Sequence, residues 1–266
     1  MAVFLKSDRP QVMGIVNVTP DSFSDGGRFY SPDQALDQAN RLIDEGADSL
    51  DIGGESTRPG AAPVGEYEEL DRIMPVLEGL RGCGVPVSVD TMKPVVMRAA
   101  LAVGAAMIND VCALQTPGAM DAVRDSDCAI CLMHMQGEPR SMQDAPQYRD
   151  VVAEVYDFLA ARMAACEVAG IAHSRLCIDP GFGFGKTLEH NLALLHGLPR
   201  LAELAPVLVG VSRKRMIGEI TGRPAEDRMI GSVAAALRAV EKGATIVRVH
   251  DVAATVDALK IWEKTR

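Results

Sequence analysis

The sequence lacks several features that would assign it to common protein classes. No uninterrupted apolar stretch reaches the roughly 18 residues of a membrane-spanning helix, so no membrane partner is expected. The opening residues MAVFLKSDRP contain no apolar segment long enough for a signal peptide, which favours a cytoplasmic location. Basic runs are missing and the net charge is −9, so nucleic acid is not expected as a partner either. An anionic ligand would need a local cluster of Arg and Lys side chains.

The six cysteines fit no metal-site pattern. Cys128 and Cys131 form a C-x-x-C, but they lie in CAICLMHM, a predicted strand, so they should point to opposite faces. No second cysteine pair or suitably spaced histidine pair would complete a zinc site. We interpret both as buried, reduced structural thiols, and the nearby His134 as part of the core or as support for a site.

The chain also lacks a nucleotide-phosphate loop, although CIDPGFGFGKT at residues 177–187 looks like one. The motif G-x-x-x-x-G-K-[ST] would need glycine at position 180, where the sequence has Pro180. The dinucleotide motif G-x-G-x-x-G fails because its third glycine would fall at Lys186. What remains is an apolar run that ends at Asp179, followed by a flexible glycine-rich loop.

The 266 residues alternate short β-branched runs with amphipathic stretches. The predicted strands are residues 12–18, 49–54, 85–91, 106–111, 129–135, 176–181, 206–212 and 245–252. The predicted helices are residues 31–47, with a Ser31 cap, and 66–81, 93–105, 118–125 (short), 148–170, 188–203, 228–243 and 253–264. This order predicts an α/β fold, a single (β/α)8 TIM barrel domain over residues 1–266. A doubly wound open sheet is the alternative.

Polar residues recur where the predicted strands end. They are Asn17, Asp51, Glu55, Asp90, Asn109, Asp110, His134, Asp179, Ser212, Lys214, Arg248 and His250. A single Asp at a strand end is often only the cap of the next helix. Polar residues at all these ends together indicate a site, because the carboxyl ends of the strands in a parallel barrel share one face.

The residue types at these ends suit particular ligands. Asp90, Asn109 and Asp179 offer acceptors and an amide for a flat heterocycle that carries N–H donors, or two of the carboxylates could form an acid–base pair. Cationic donors for phosphate oxygens are also present, at Arg58, Lys214, Arg248 and His250. We therefore expect one mouth that holds a polar aromatic ring beside a polyanion.

Seven segments together resemble the dihydropteroate synthase family. They are MGIVNVTPDSFSDGG (13–27), DIGGESTRPGA (51–61), SVDT (88–91), MIND (107–110), IDPGFGFGKT (178–187), GVSRKRMIG (210–218) and RVHDV (248–252). The match runs in order along essentially the whole chain. The resemblance implies a (β/α)8 barrel that works as a homodimer. It also implies a transferase in which 4-aminobenzoate displaces diphosphate from (7,8-dihydropterin-6-yl)methyl diphosphate, with Mg²⁺ as cofactor on the diphosphate.

Residue roles follow from the same resemblance. The residues implied to bind the pterin are Asp90, Asn109, Asp179, Lys214 and Arg248, and those implied to be catalytic are Asp90, Lys214 and Arg248. The residues implied to bind the diphosphate are Asn17, which also contacts the metal, Thr57, Arg58, Arg248 and His250. In this interpretation Lys186 is a solvated or structural charge and not a phosphate ligand.

The aminobenzoate pocket is implied to include Pro59, Phe184 and Arg215. Arg215 departs from the family, since many members carry Ser there to meet the aminobenzoate carboxylate. A backbone N–H at the start of the following helix could still bind that carboxylate, and Arg215 could add charge.

Two other functions remain open at this point. A pterin-binding corrinoid methyltransferase uses a related barrel but needs no diphosphate site, and a non-catalytic pterin-binding paralogue would need no chemistry at all. The intact STRPG, SRK and RVH segments favour the synthase over both.

Overall fold

Eight parallel strands close into a barrel in this computed structural model, which describes residues 5, 7–19, 32–56, 62–137, 142 and 145–265. The strands follow one another in chain order around the barrel, and the eighth pairs with the first. The predicted TIM barrel is therefore confirmed, and the open sheet is wrong. The assignment of residues 1–266 to one domain stays a prediction.

The strands lie close to their predicted positions. They are β1 (Gln11–Asn17), β2 (Ser49–Gly53), β3 (Val87–Asp90), β4 (Met107–Asp110), β5 (Ala129–Met133), β6 (Leu176–Asp179), β7 (Val207–Val209) and β8 (Ala244–Val249). Most are one to three residues shorter than predicted at one end or both, and the last residues of β1, β3, β4 and β6 are the polar Asn17, Asp90, Asp110 and Asp179.

The described helices surround the barrel. They are α1 (Pro32–Asp44), α2 (Glu66–Gly79), α3 (Pro94–Ala102), α4 (Ala119–Val123), α5 (Val151–Val168), α6 (Leu188–Leu201), α7 (Arg215–Thr221), α8 (Met229–Glu241) and α9 (Val252–Thr265). The short fourth helix is as predicted, whereas α7 is an additional helix before α8. The predicted Ser31 cap lies outside the described residues. Within the described chain, no helix is both long and apolar enough to span a membrane.

Local sequence accounts for where several helices begin. Asp150 caps α5, since its side chain accepts hydrogen bonds from the N–H groups of Val152 and Ala153 at 3.0 and 3.1 Å. Thr187 caps α6 in a reciprocal box in which its hydroxyl accepts the N–H of His190 at 3.3 Å. These caps set where each helix leaves the loop at the mouth of the barrel.

The barrel has two apolar layers. Side chains that point inward form one cluster, which includes Met13, Met107, Cys131, Cys177, Leu208 and Ile246. A larger cluster fills the space between the strands and the helices, and Cys128 belongs to it. Cys128 and Cys131 thus lie on opposite sides of the strand wall, both as free thiols, as predicted.

Candidate active site

Strand register brings the polar strand ends together. Asn17 of β1 pairs with Gly53 of β2, which pairs with Asp90 of β3, which in turn pairs with Asn109 of β4. Side chains of paired residues in a parallel sheet point to the same face, so this row faces the inside of the barrel mouth. Four adjacent strands thereby supply one continuous wall of the candidate site.

Arg248 of β8 forms ion pairs with two carboxylates on other strands. Its Nε donates to Oδ2 of Asp51 at 2.5 Å, and its Nη2 donates to Oδ2 of Asp90 at 3.0 Å. The side-chain amide of Asn109 donates to the same Asp51 oxygen at 3.1 Å. Asp51 is fully buried, so these bonds fix it inside the barrel. It belongs to the strand-end series but was not among the predicted substrate contacts.

Burial brings the pKa values of two charged groups at the mouth, Asp90 and Lys214, closer to 7. Desolvation raises the pKa of Asp90 to about 7, while the charge of Arg248 acts in the opposite direction. Desolvation also lowers the pKa of Lys214 to about 8, opposed by the charge of Asp179. Perturbed groups of both signs at one mouth are typical of binding and catalytic sites.

Asp179 stands at the end of β6 and is buried. Its Oδ1 accepts the N–H of Gly181 at 2.7 Å, a bond that favours the ionised carboxylate. Desolvation nevertheless raises its pKa above the usual value, with Lys214 opposing the rise. The carboxylate is thus held in a fixed orientation beside a lysine.

Lys214 and Phe184 come from different loops and meet at the mouth. The Lys214 Nζ donates to the carbonyl oxygen of Phe182 at 2.5 Å and lies 4.7 Å from the centre of the Phe184 ring. The Phe184 ring is half-buried. Lys214, which is predicted to bind the pterin, and Phe184, which is predicted to line the aminobenzoate pocket, are therefore in contact through a cation–π interaction.

Ser212, in the loop that follows β7, holds His250 in place. The Ser212 hydroxyl lies 3.0 Å from Nδ1 of His250 and accepts the His250 backbone N–H at 3.1 Å. Beside it, Arg213 binds both oxygens of Asp251, at 3.1 and 2.5 Å. These contacts tie the loop after β7 to the loop after β8.

Asn17 borders the same space as Asp90. Its Oδ1 and the Oδ2 of Asp90 both lie 3.9 Å from the position that a Cβ atom on Gly53 would occupy. Glycine at this position leaves that space open. In the described part of the chain, no group of three His, Cys, Asp or Glu side chains could enclose a metal ion by itself.

Two members of the strand-end series, Asp110 and Glu55, are bound by other groups. Both oxygens of Asp110 accept backbone N–H groups, from Cys112 and Leu114, each at 2.8 Å, so this residue stabilises its own turn. Glu55 accepts from Lys93 and from the N–H of Val64, both at 2.8 Å. Asp110 stabilises its own turn, and Glu55 joins its loop to Lys93. These bonds explain both carboxylates without a role in the site.

Other predicted site residues have different outcomes. The side chain of Arg215 is 78% exposed and pairs with Glu219 one turn along α7, at 2.6 Å. Its Nε therefore binds Glu219 along the helix, and its role in the aminobenzoate pocket stays a prediction. Thr57, Arg58 and Pro59 lie outside the described residues.

Lys186 is buried, so the solvated alternative is wrong and the structural one is retained. Its Nζ lies 3.0 Å from Nδ1 of His134, whose ring packs edge-on against Phe158. Desolvation, followed by the charge of Lys186, lowers the pKa of His134 to about 3. His134 is therefore neutral at physiological pH and packs in the core, as interpreted.

Comparison with known proteins gives one consistent result. Residues 13–250 match the family described as pterin binding enzyme. The dihydropteroate synthase of Neisseria meningitidis serogroup C is 58% identical over 96% of this chain and 93% of its own length.

Two solved structures are similar over nearly the whole chain. The Xanthomonas albilineans dihydropteroate synthase, solved with 4-aminobenzoic acid, has 60% identity and a TM-score of 0.92, covering 97% of this chain and 93% of its own. The Burkholderia cenocepacia dihydropteroate synthase, complexed with 7,8-dihydropteroate, has 55% identity and a TM-score of 0.90, covering 97% and 92%. The chain therefore belongs to the dihydropteroate synthase family of pterin-binding enzymes.

Proposed function

We propose that the mouth of this barrel carries out the dihydropteroate synthase reaction. 4-Aminobenzoate displaces diphosphate from (7,8-dihydropterin-6-yl)methyl diphosphate, and the products are 7,8-dihydropteroate and diphosphate. The enzyme is a transferase of folate biosynthesis. The observation that carries this proposal is the network in which Arg248 joins Asp51 and Asp90. The opposite charges of Asp179 and Lys214, which act on one another, add to it.

The pterin ring binds between Asp90, Asn109, Asp179, Lys214 and Arg248 in this proposal. Ring N–H groups need acceptors, and the carboxylates of Asp90 and Asp179 supply them from opposite parts of the mouth. Asp179 is already oriented by its bond from Gly181. Lys214 and the Asn109 amide supply donors to ring oxygen and nitrogen.

The diphosphate binds at Arg248 and His250, with Thr57 and Arg58 as further proposed contacts. Mg²⁺ binds through one or two protein oxygens together with substrate phosphates and water, so a complete protein cage is not required. The single amide oxygen of Asn17, beside the open space at Gly53, fits that mode of binding. When bound, Mg²⁺ would neutralise part of the charge on the diphosphate.

The chemical problem is to expel diphosphate from a CH₂ group on an electron-rich ring. The dihydropterin can delocalise the developing positive charge, and the carboxylates of Asp90 and Asp179 stabilise it. Arg248 and His250 stabilise the negative charge on the departing diphosphate. The amine of 4-aminobenzoate then bonds to the CH₂ carbon and loses a proton, so no protein nucleophile is needed.

4-Aminobenzoate binds against Phe184 in this proposal, with Pro59 and Arg215 as further pocket residues. Support comes from the contact between the Phe184 ring and Lys214, which puts this wall next to the pterin site. The second substrate would therefore lie within reach of the pterin CH₂ group.

The direct test mixes the purified chain with the pterin diphosphate, 4-aminobenzoate and Mg²⁺ and measures pyrophosphate and dihydropteroate. We expect both products in equal amounts. Pterin binding without turnover would identify a non-catalytic paralogue. Methyl transfer from a methylated tetrahydropterin to a corrinoid, assayed in a separate reaction that contains both, would identify a methyltransferase. Either result would contradict the proposal. Omitting Mg²⁺ in a parallel reaction tests the proposed cofactor.

The chain is also proposed to form a homodimer through α7, α8 and α9. Support comes from large apolar side chains exposed on these helices, namely Ile220, Met229, Ile230 and Ile261. Ile230→Asp should shift sedimentation from dimer to monomer, whereas Val168→Asp on α5, which is even more exposed, should not. Unchanged sedimentation of Ile230→Asp would contradict this surface. A cytoplasmic location stays a prediction.

A further inference from the structure

Lys186 is a buried lysine with no part in the proposed reaction. Only 3% of it is exposed, and its Nζ lies 3.0 Å from Nδ1 of His134, 3.0 Å from the carbonyl oxygen of Phe184 and 3.4 Å from that of His134. None of these three partners is a carboxylate. The charge of Asp179 offsets part of the cost of burying this ammonium group, but Nζ makes its hydrogen bonds to His134 and to backbone carbonyls, so packing alone does not explain a lysine at this position.

The contacts of Lys186 join two loops at the mouth. His134 directly follows β5, and Phe184 lies in the loop between β6 and α6. The loops touch backbone to backbone, because a Cβ atom on Gly181 would lie 1.8 Å from the carbonyl oxygen of His134. At Gly185 a Cβ atom would lie 2.5 Å from the carbonyl oxygen of Gln136. Lys186 supplies polar contacts across this close approach.

The protonation states of the pair suit a hydrogen-bonding role. Burial and the nearby lysine keep the His134 ring neutral, so its Nδ1 can accept a hydrogen bond from Nζ. Burial also lowers the pKa of Lys186 to about 7. Near neutral pH the amine is therefore present in both its charged and its neutral form, and both forms donate hydrogen bonds.

We propose that Lys186 is a positioning residue for the second substrate. By donating to the Phe184 carbonyl while held by His134, it fixes the backbone from which the Phe184 ring projects. Lys214 contacts that ring directly. The role rests on the proposed function, because it acts through the wall assigned to 4-aminobenzoate.

Steady-state kinetics of Lys186→Met test this role. We expect the KM for 4-aminobenzoate to rise about tenfold, with kcat and the KM for the pterin diphosphate within about threefold of the unsubstituted enzyme. Lys186→Gln keeps an N–H donor and should recover most of the loss. Tyr148→Phe is the matched control, because it removes another bond to the same loop, from the tyrosine hydroxyl to the Gly185 carbonyl.

A double-mutant cycle with Phe184→Ala shows whether Lys186 acts through the ring. In that background Lys186→Met should add less than about twofold to the KM for 4-aminobenzoate. The proposal would be overturned if the two substitutions raise the KM for 4-aminobenzoate additively, or if Lys186→Met raises the KM values for both substrates equally. It would also be overturned if Tyr148→Phe has as large an effect as Lys186→Met. If Lys186→Met does not fold, Lys186→Ala, which also removes the donor, takes its place in the same cycle and must show the same non-additivity. Inactivity of the unsubstituted enzyme would instead refute the proposed function.

Discussion

Arg248, on the last strand, donates to the carboxylate of Asp51, on the second, at 2.5 Å although 197 residues separate them in the chain. β1 lies between these two strands in the barrel, so the contact crosses the interior of the mouth. The same Asp51 oxygen accepts from Asn109 on β4. Asp51 thereby sets the relative positions of two proposed pterin residues without a proposed substrate contact of its own.

Asp51→Asn tests this relationship. The amide keeps the size of the side chain but leaves Arg248 without one of its two carboxylates, and breaking a buried pair costs about 3–5 kcal/mol. We expect kcat/KM for the pterin diphosphate to fall about 100-fold. Ser88→Ala is the control, because Ser88 is buried and paired in register with Asp51, and it should stay within about threefold. If Asp51→Asn lowers kcat/KM by less than about threefold, Asp51 has no role in the site.

Asp179→Asn should nearly abolish pterin binding. The substituted amide would offer a donor where ring N–H groups need an acceptor, so one N–H or the amide would be left buried without a partner. Calorimetric titration with a pterin analogue measures the effect, and affinity within about threefold of the unsubstituted chain would exclude the role. Glu189→Gln, on the exposed first turn of α6, is the control and should not change affinity.

Ser212→Ala should weaken diphosphate binding selectively. A hydroxyl that accepts the His250 backbone N–H can donate to Nδ1, which favours the tautomer with the ring proton on Nε2 and fixes the ring orientation that the proposed diphosphate contact needs. We expect pyrophosphate affinity to fall about threefold to tenfold, whereas a pterin without diphosphate should bind as before. Thr245→Ala serves as control, since Thr245 bonds Val207 at the other end of the same strand pair. Equal losses for both ligands would contradict the selective role.

His134 should make the protein less stable in acid. Its pKa is lowered from 6.5 to about 3, so its contribution is fully present above pH 6.5 and is lost as the pH falls toward 3. In urea unfolding, the stability difference between the unsubstituted chain and His134→Gln should decrease by about 2.5 kcal/mol between pH 6.5 and 4.5. A constant difference for His134→Gln would mean that the ring titrates normally.

The alternation of apolar runs and amphipathic stretches by itself determined an α/β fold of eight strand–helix units, because buried parallel strands and outer helices leave distinct periodicities in the sequence. Closure into a barrel was decided only by the pairing of β8 with β1. Polar residues at the strand ends likewise indicated the mouth, since a parallel barrel gathers all those ends on one face. The order of the motifs indicated the family. These features are local, and neighbouring residues suffice to reveal them.

Only the tertiary structure decided which of these residues contact one another. The partner of Arg248 depends on barrel closure and strand register, which place Asp51 opposite it across β1. The burial of Lys186 depends on two loops meeting through glycine backbones, a contact that residues 181–187 alone do not reveal. The exposure of Arg215 follows from the direction of the short helix α7. Packing between residues that are far apart in the sequence fixes these three features, and patterns among neighbouring residues do not reveal that packing.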